Sequence, residues 1–175
     1  MTLFFYIIIA IITFFAFLHA WAKKEYDLSR TIVINRSREE VYGFVRQLRK
    51  QPLWMPWFKR DPEATLKYKE TDGKTEASFY WKGNHRVGEG VQRIVKVRKG
   101  KVIETKVLFI KPFKVNALTY IGVKEIEPEK TKMVWGVRGY VPFPLTIVSL
   151  FYGVDRLLAK RFEEGLKNLK HVLEN

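Results

Sequence analysis

Tyr80, His85, Glu89, Arg138 and Asp155 are the side chains that could move a proton on a substrate. Acid/base work of the cyclase or dehydratase kind needs such a group held against the substrate in a dry site. Each also has a simpler reading. Strand alternation gives Tyr80 and Arg138 an outward parity, and His85 falls in a Gly-Asn turn. Glu89 lies between Gly88 and Gly90, where a bulge would scramble its parity, and Asp155 has Arg156 and Lys160 beside it to pair with. No catalytic residue is assigned. The absence of cysteine removes thiolate metal sites, cysteine nucleophiles and a disulfide framework together. His19, His85 and His171 are far apart in sequence and form no ligand spacing, so neither a metal nor another cofactor is expected. There is no Ser/His/Asp or phosphate-loop signature.

The other available chemistry is removal of an apolar ligand from water. Trp54, Trp57, Phe79, Trp81, Ile94, Phe109, Trp135, Phe151, Leu158 and Phe162 supply a large aromatic and aliphatic wall. Ligand pockets are mostly apolar with a few placed polar groups. The polar candidates are Thr119 on an inward parity, Asn116 near a strand start, and Gln92, whose face is ambiguous because Val91, Val95 and Val97 compete with Ile94 for the core. Plain core packing would use the same residue types, so the elements that position them must decide.

Thr31 to Ile34 reads as a β-branched strand after a polar connector that ends at Arg30. Ser37-x-x-Glu40 has capping-box form, and Val41, Phe44, Val45 and Leu48 follow at i, i+3, i+4, i+7 spacing, which predicts a short one-sided helix. Pro52 and Pro56 bracket Leu53 to Met55 and allow at most a turn of helix there. From about Ala64 to Val141 the period becomes two. Turn signals at Asp72-Gly73, Lys82-Gly83-Asn84, Lys99-Gly100, Lys111-Pro112 and Glu127-Pro128 predict antiparallel hairpins. Alternation puts Ala77, Phe79 and Trp81 on one face with Ile103, Thr105, Val107 and Phe109, then Ala117, Thr119, Ile121 and Val123, then Met133, Trp135 and Val137. After Pro142-Phe143-Pro144, apolar residues keep helical spacing from Ile147 to Val172, which predicts one long amphipathic helix containing Gly153 and Gly165.

The first 22 residues contain no Asp, Glu, Lys or Arg. A helix of that length, at about 1.5 Å per residue, matches the roughly 30 Å hydrocarbon core of a bilayer. Residues 1–22 are therefore read as a transmembrane anchor, 23–30 as a linker and 31–175 as one domain. A cleaved signal peptide is the rival, since Ala20-Trp21-Ala22 offers a small-x-small site. Against it stand the lack of a preceding Lys or Arg and an apolar run longer than a signal core. Lys23, Lys24, Arg30, Arg36 and Arg38 all follow the helix, so the positive-inside tendency puts the domain in the cytoplasm as part of a single-pass membrane protein.

A strand, a short helical stretch, several antiparallel strands and a long closing helix make an α+β chain in the order of the helix-grip fold. Glu40-Val41-Tyr42 with Trp54-x-x-Trp57 resembles the opening of the SRPBCC superfamily, in its polyketide cyclase/dehydratase-like bacterial branch. Trp81-x-Gly83-Asn84 with Val87-Gly88-x-Gly90, Phe109-Ile110-Lys111-Pro112-Phe113, and Phe143-Pro144 with Phe162-Glu163-x-Gly165-Leu166-x-Asn168-Leu169-Lys170 are similar to the same branch. The resemblance spans Thr31 to Glu174. It implies a curved sheet wrapped round a long C-terminal helix with a deep apolar cavity between them, as in START-type lipid-transfer and birch-pollen-allergen-like proteins. Members bind lipids, hormones or quinones, others cyclise polyketides, and some carry an N-terminal membrane segment. Fold alone does not choose among these.

The 175 residues hold 32 Lys+Arg against 18 Asp+Glu, a net charge of +14. From Thr31 onward there are 29 basic and 16 acidic side chains, a net +13. Nucleic acid is disfavoured as the counter-charge, because the aromatics face the core and no stacking motif is visible. A domain tethered at Lys23 stays near anionic headgroups instead, and Arg93, Lys96, Arg98, Lys99 and Lys101 on one hairpin, with Arg46, Arg49, Lys50, Lys59 and Arg60, are the basic groups that could meet them. The expected function is binding of a hydrophobic small molecule or lipid, with an opening near Trp54, Trp57 and the hairpin tips. A cyclase- or dehydratase-type enzyme in the same cavity and a cavity-poor interaction module remain open.

Overall fold

The computed structural model describes residues 2–175; the side chains of Val148, Phe151, Tyr152, Val154, Asp155 and Leu157 lie outside the described residues. Helix α1 is Thr2–Trp21. None of its residues is buried, and only Leu18 and His19 near its end are half-buried. Without a buried face it is not a core helix of the domain; it is long and apolar enough to cross a membrane.

Strand β1 runs from Glu25 to Ile34, longer than the sequence pattern suggests. The residues read as a connector are strand because Tyr26, Leu28, Arg30, Ile32 and Ile34 point to one face while Glu25, Asp27 and Ser29 point to the other. Its acidic and polar outer positions disguise the alternation. Six further strands follow: β2 Thr65–Lys69, β3 Ser78–Lys82, β4 Glu89–Arg98, β5 Val102–Lys111, β6 Val115–Glu127 and β7 Lys130–Tyr140. They form one antiparallel sheet in the order β1-β7-β6-β5-β4-β3-β2.

Helix α2, Arg38–Val45, starts where Ser37 accepts a hydrogen bond from the Glu40 amide at 3.3 Å. Val41, Tyr42 and Val45 are its buried stripe. Two 3-10 turns, Leu48–Leu53 and Phe58–Arg60, carry the aromatic segment. Asp72 caps the first of them, accepting from the amides of Leu48 at 2.7 Å and Arg49 at 3.1 Å. The Asp72-Gly73 turn therefore both reverses the chain and anchors the segment opposite.

The C-terminal helix is two helices. α3, Leu145–Tyr152, ends at Gly153, whose φ of 60° leaves the helical region, and α4 runs Val154–Glu174. Periodicity continues through the break because one residue in a left-handed conformation redirects the axis without removing apolar side chains from either side. On α4, Ala159, Phe162, Leu166, Leu169 and Leu173 are buried. The helix lies along β1: Arg30 binds Glu163 at 2.8 Å, Lys170 donates to the Val33 carbonyl at 2.8 Å, and the Asn35 amide donates to Glu174 at 2.6 Å. Its centre meets β7, where the Phe162 and Trp135 rings stack 4.0 Å apart.

Gly165 makes that approach possible, since a Cβ there would fall 2.7 Å from Trp135 Cζ3 and 3.2 Å from Pro56 Cδ. Nothing lies within 4 Å of a Cβ built at Gly43 in α2. We therefore expect Gly165→Val to destabilise the fold by about 1–3 kcal/mol through overpacking. Gly43→Ala should stabilise it by roughly 0.5–1 kcal/mol through helix propensity. Urea denaturation of the detergent-solubilised chain followed by tryptophan fluorescence checks both signs.

Candidate functional site

The inner face of the sheet divides into a part lined by aromatic rings and a part lined by small side chains. Trp54 packs edge-on against Trp135 at 4.7 Å, Trp57 approaches the same ring at 5.6 Å, and Phe162 closes the stack. Asn168 of α4 holds the Trp54 carbonyl at 3.1 Å. On the β3 side Phe79 meets Phe58, Tyr68 and Trp81, with centroids 5.6 to 5.9 Å apart. Trp54, Ile94 and Met133 have no exposed surface and Phe79 and Trp135 only 1%.

Between these clusters the middle strands present small side chains. Strand register sets Gln92, Val107, Ala117 and Gly139 across one row, and Thr105, Thr119 and Val137 across the next. Thr105, Gln92, Val107, Val137 and Ala117 are buried, with 4% to 7% of their surface accessible. Two rings lie over glycines at the margins: Trp81 covers Gly90 from β3, and Tyr26 covers Gly139 from β1. The small row thus ends at Phe79 on the β3 side, with Trp81 in the row beyond, and at Tyr26 on the β1 side.

Its polar groups form a connected chain. Gln92 Nε2 donates to Thr105 Oγ1 at 3.0 Å, and Thr105 Oγ1 lies 2.6 Å from Thr119 Oγ1. Gln92 and Thr105 are buried, while Thr119 is only half-buried. Burial raises the Tyr26 phenol above its ordinary pKa, so it is a neutral donor at neutral pH.

The ten apolar candidates separate accordingly. Trp54, Trp135, Phe79, Trp81, Ile94 and Phe162 are buried core, and Trp57 and Leu158 are packed against it. Trp54 cannot border an opening, contrary to the sequence expectation, because Trp135 and Asn168 cover it. Phe109 has inward parity yet remains 38% exposed, and its inward neighbour Val115 is half-buried. The inner face is therefore uncovered at the end of β5 and start of β6. The Phe151 side chain lies outside the described residues. Gln92 and Ile94 both face inward, Val91 and Val95 outward, and Val97 inward again, because a bulge between Ile94 and Lys96 adds one residue to β4. That bulge is what made the parity unreadable. Tyr26 escaped sequence reasoning because its strand was taken for a connector; the Tyr26, Leu28, Ile32, Ile34 alternation was the available signal. Asn116 faces outward and is exposed.

The proton-transfer candidates do not reach this row. Tyr80 donates to Glu89 at 2.8 Å on the outer face, and Lys111 lies 3.5 Å from the same carboxylate. The Tyr80 hydrogen bond is the main cause that lowers the Glu89 pKa and raises that of Tyr80. His85 is exposed in its turn, and Arg138 is exposed on the outer face. The Asp155 side chain lies outside the described residues. Among the described residues no group of three His, Cys, Asp or Glu could hold a metal. An open groove of about 1110 Å³ crosses the outer face, with Arg93, Lys106 and Arg138 set among Val91, Leu108 and Leu118. It is broad and floored by the sheet itself, without the enclosing walls that bury most of a small ligand.

No family model matches the chain, and no curated protein matches it. Solved structures share its fold. A protein of unknown function from Staphylococcus aureus, SA2116, aligns with a TM-score of 0.67 at 12% identity over 89% of this chain and 96% of that one. An uncharacterised protein from Bacillus thuringiensis aligns with a TM-score of 0.61 at 20% identity over 86% and 100%. Ara h 8.0201 aligns with a TM-score of 0.58 at 8% identity over 85% and 97%. The helix-grip arrangement, a seven-stranded antiparallel curved sheet closed by a C-terminal helix, is common to them.

Thr105 serves two partners in the polar chain, Thr119 one. We expect Thr105→Val to cost about 1–3 kcal/mol, because it strands the buried Gln92 amide. Thr119→Val should cost about 1 kcal/mol or less, since water reaches that position. Comparing the two urea midpoints tests the order.

Proposed function

We propose that this chain is a single-pass, membrane-anchored helix-grip domain that binds a hydrophobic small molecule or lipid on the inner face of its sheet, with the domain on the cytoplasmic side. The observation that carries the reading is the contrast within one inner face. Trp54, Phe79 and Trp135 at the centre of the aromatic clusters are sealed from solvent, whereas the neighbouring row of Gln92, Thr105, Val107, Ala117 and Val137 is built of small and polar side chains and lies beside a 38% exposed Phe109. A buried polar chain in an otherwise apolar wall suits a ligand that is mostly hydrocarbon with one polar end.

The direction of that chain adds chemistry. With Gln92 donating to Thr105, the Thr105 hydroxyl is free to donate to Thr119, and the Thr119 proton is left for a ligand oxygen. Tyr26 offers a second neutral donor from β1. Carbonyl, ester and quinone oxygens fit two such donors. Apolar area on the ligand would contribute about 25 cal/mol per Å² removed from water. The resemblance of the Trp54-x-x-Trp57 and Phe162 to Lys170 blocks to the polyketide cyclase/dehydratase-like SRPBCC branch supports a cavity function. The anchor reading rests on the uncovered, uncharged α1 and the lysines that follow it.

Native mass spectrometry of the detergent-purified full chain, followed by solvent extraction, should return a bound hydrophobic molecule unchanged. Ala117→Phe, which fills the small row, should abolish that mass while the protein stays folded. A converted product would favour cyclase or dehydratase chemistry instead. An unliganded wild-type mass, with Ala117→Phe strongly destabilised by overpacking, would leave no vacant site and defeat the reading.

A further inference from the structure

The end of the domain beside the anchor is apolar in a way the rest of the surface is not. From Gly139 to Val154 there is no Asp, Glu, Lys, Arg or His, a run of 16 residues that includes the Val141–Pro144 lead-in and all of α3. Tyr140, Phe143 and Leu150 within it are exposed, as are Ile110 and Phe113 on the neighbouring β5–β6 hairpin. Monomeric proteins seldom leave so many large apolar side chains together in water.

These groups are also held at the depth where α1 ends. His19 Nδ1 and Thr146 Oγ1 are 2.8 Å apart, and the His19 ring meets Phe143 edge-on at 5.5 Å. The connection to the sheet is short, because the Ala22 amide still bonds to Leu18 in α1 while the Lys24 carbonyl already accepts from Val141 beside β7. At about 1.5 Å per residue, His19 lies roughly 5 Å up the helix from Ala22, within the interfacial layer if α1 spans the membrane. The Thr146 and Ser149 hydroxyls of α3 need no water: Thr146 pairs with His19, and Ser149 donates to the Thr146 carbonyl at 2.7 Å. Polar groups entering lipid must be satisfied in this way. Lys23, Lys24 and Lys114 are exposed around the same end, placed to meet anionic headgroups.

We infer that α3, its Val141–Pro144 lead-in and the β5–β6 hairpin tip form a face seated in the headgroup and upper acyl region of an anionic bilayer. The inference rests on the proposed anchoring by α1 and extends it from one helix to a docked surface. It fixes the orientation of the domain: the uncovered inner-face residues Phe109 and Val115 open toward the lipid, and the Arg98–Lys101 turn points away.

The chain lacks cysteine, so depth can be read directly with single labels on the full chain in vesicles of phosphatidylcholine and phosphatidylserine. Phe113→Cys, Phe143→Cys and Leu150→Cys each carry an environment-sensitive fluorophore, with Ile9→Cys marking α1 and Lys99→Cys the far hairpin. Nitroxide lipids labelled near the headgroup should quench the three end positions several-fold more than Lys99→Cys, while lipids labelled near the chain terminus quench Ile9→Cys. Quenching of Ile9→Cys with the three end positions no different from Lys99→Cys would overturn the docked face and leave the anchor standing. Absence of quenching at Ile9→Cys would overturn the anchor and the face with it. Weaker quenching of Phe113→Cys in vesicles without phosphatidylserine supports the role given to the lysines; unchanged quenching removes it.

Discussion

The stack of Phe162 on Trp135 is the interaction on which the rest of this domain depends. A single curved sheet has one face to bury, and the element that covers it is α4. The helix is tied along β1, and it reaches β7 where Gly165 removes the side chain that would hold them apart and the two rings come within 4.0 Å. From that point the other contacts follow. Trp54 and Trp57 lock onto the same indole, Asn168 secures the Trp54 carbonyl, and the 3-10 segment carrying both tryptophans is thereby fixed across the sheet. The Phe162 to Lys170 block and the Trp54-x-x-Trp57 pair are thus two halves of one clamp.

Away from that clamp the inner face changes character. Fixing α4 along β1 and β7 puts its bulk over one side of the sheet, while Phe58 and Phe79 fill the side of β2 and β3. The strands between carry small side chains, Val107, Ala117, Thr105, Thr119 and Gly139. Protein interiors are normally close-packed, so small residues with a satisfied polar chain among them are understandable if the proposed ligand completes the packing.

Much of this was legible in the sequence, and the misreadings share a cause. Hairpin turns announced themselves through Gly, Pro and Asn, and the inward parity of β5, β6 and β7 followed from uninterrupted alternation. Failure came where one residue changes the geometry without changing composition. The extra residue in β4 inverted the parity of Val97 relative to Val95, and Gly153 split an apolar pattern that reads as continuous. Strand β1 failed for the complementary reason, since its outer positions are so polar that half a strand looked like a linker. Which tryptophans pack and which border space could not be read from periodicity, because Trp54 and Phe109 have the same chemistry and differ only in what covers them.

The charge of the domain also changes meaning once its topology is known. Alternating hairpins send successive turns to opposite ends of the sheet, so the Arg98, Lys99 and Lys101 cluster lies a full strand away from Glu25 and the end of α1. Strand β4 has 10 residues, which at about 3.3 Å each is roughly 33 Å. The Debye length at physiological ionic strength is about 8 Å, so a headgroup layer near α1 exerts almost no force on that cluster. Its cations are partly spent within the protein as well, with Arg93 at 3.5 Å from Glu76 and Lys96 at 3.3 Å from Glu104. The cations at the α1 end are a separate set, Lys23, Lys24, Lys111 and Lys114 with Lys82 and Arg86 on the β3–β4 turn, beside the apolar α3. Under the proposed docking, a large net charge would keep the body of the domain in water while a handful of cations and exposed aromatics decide which end meets the membrane.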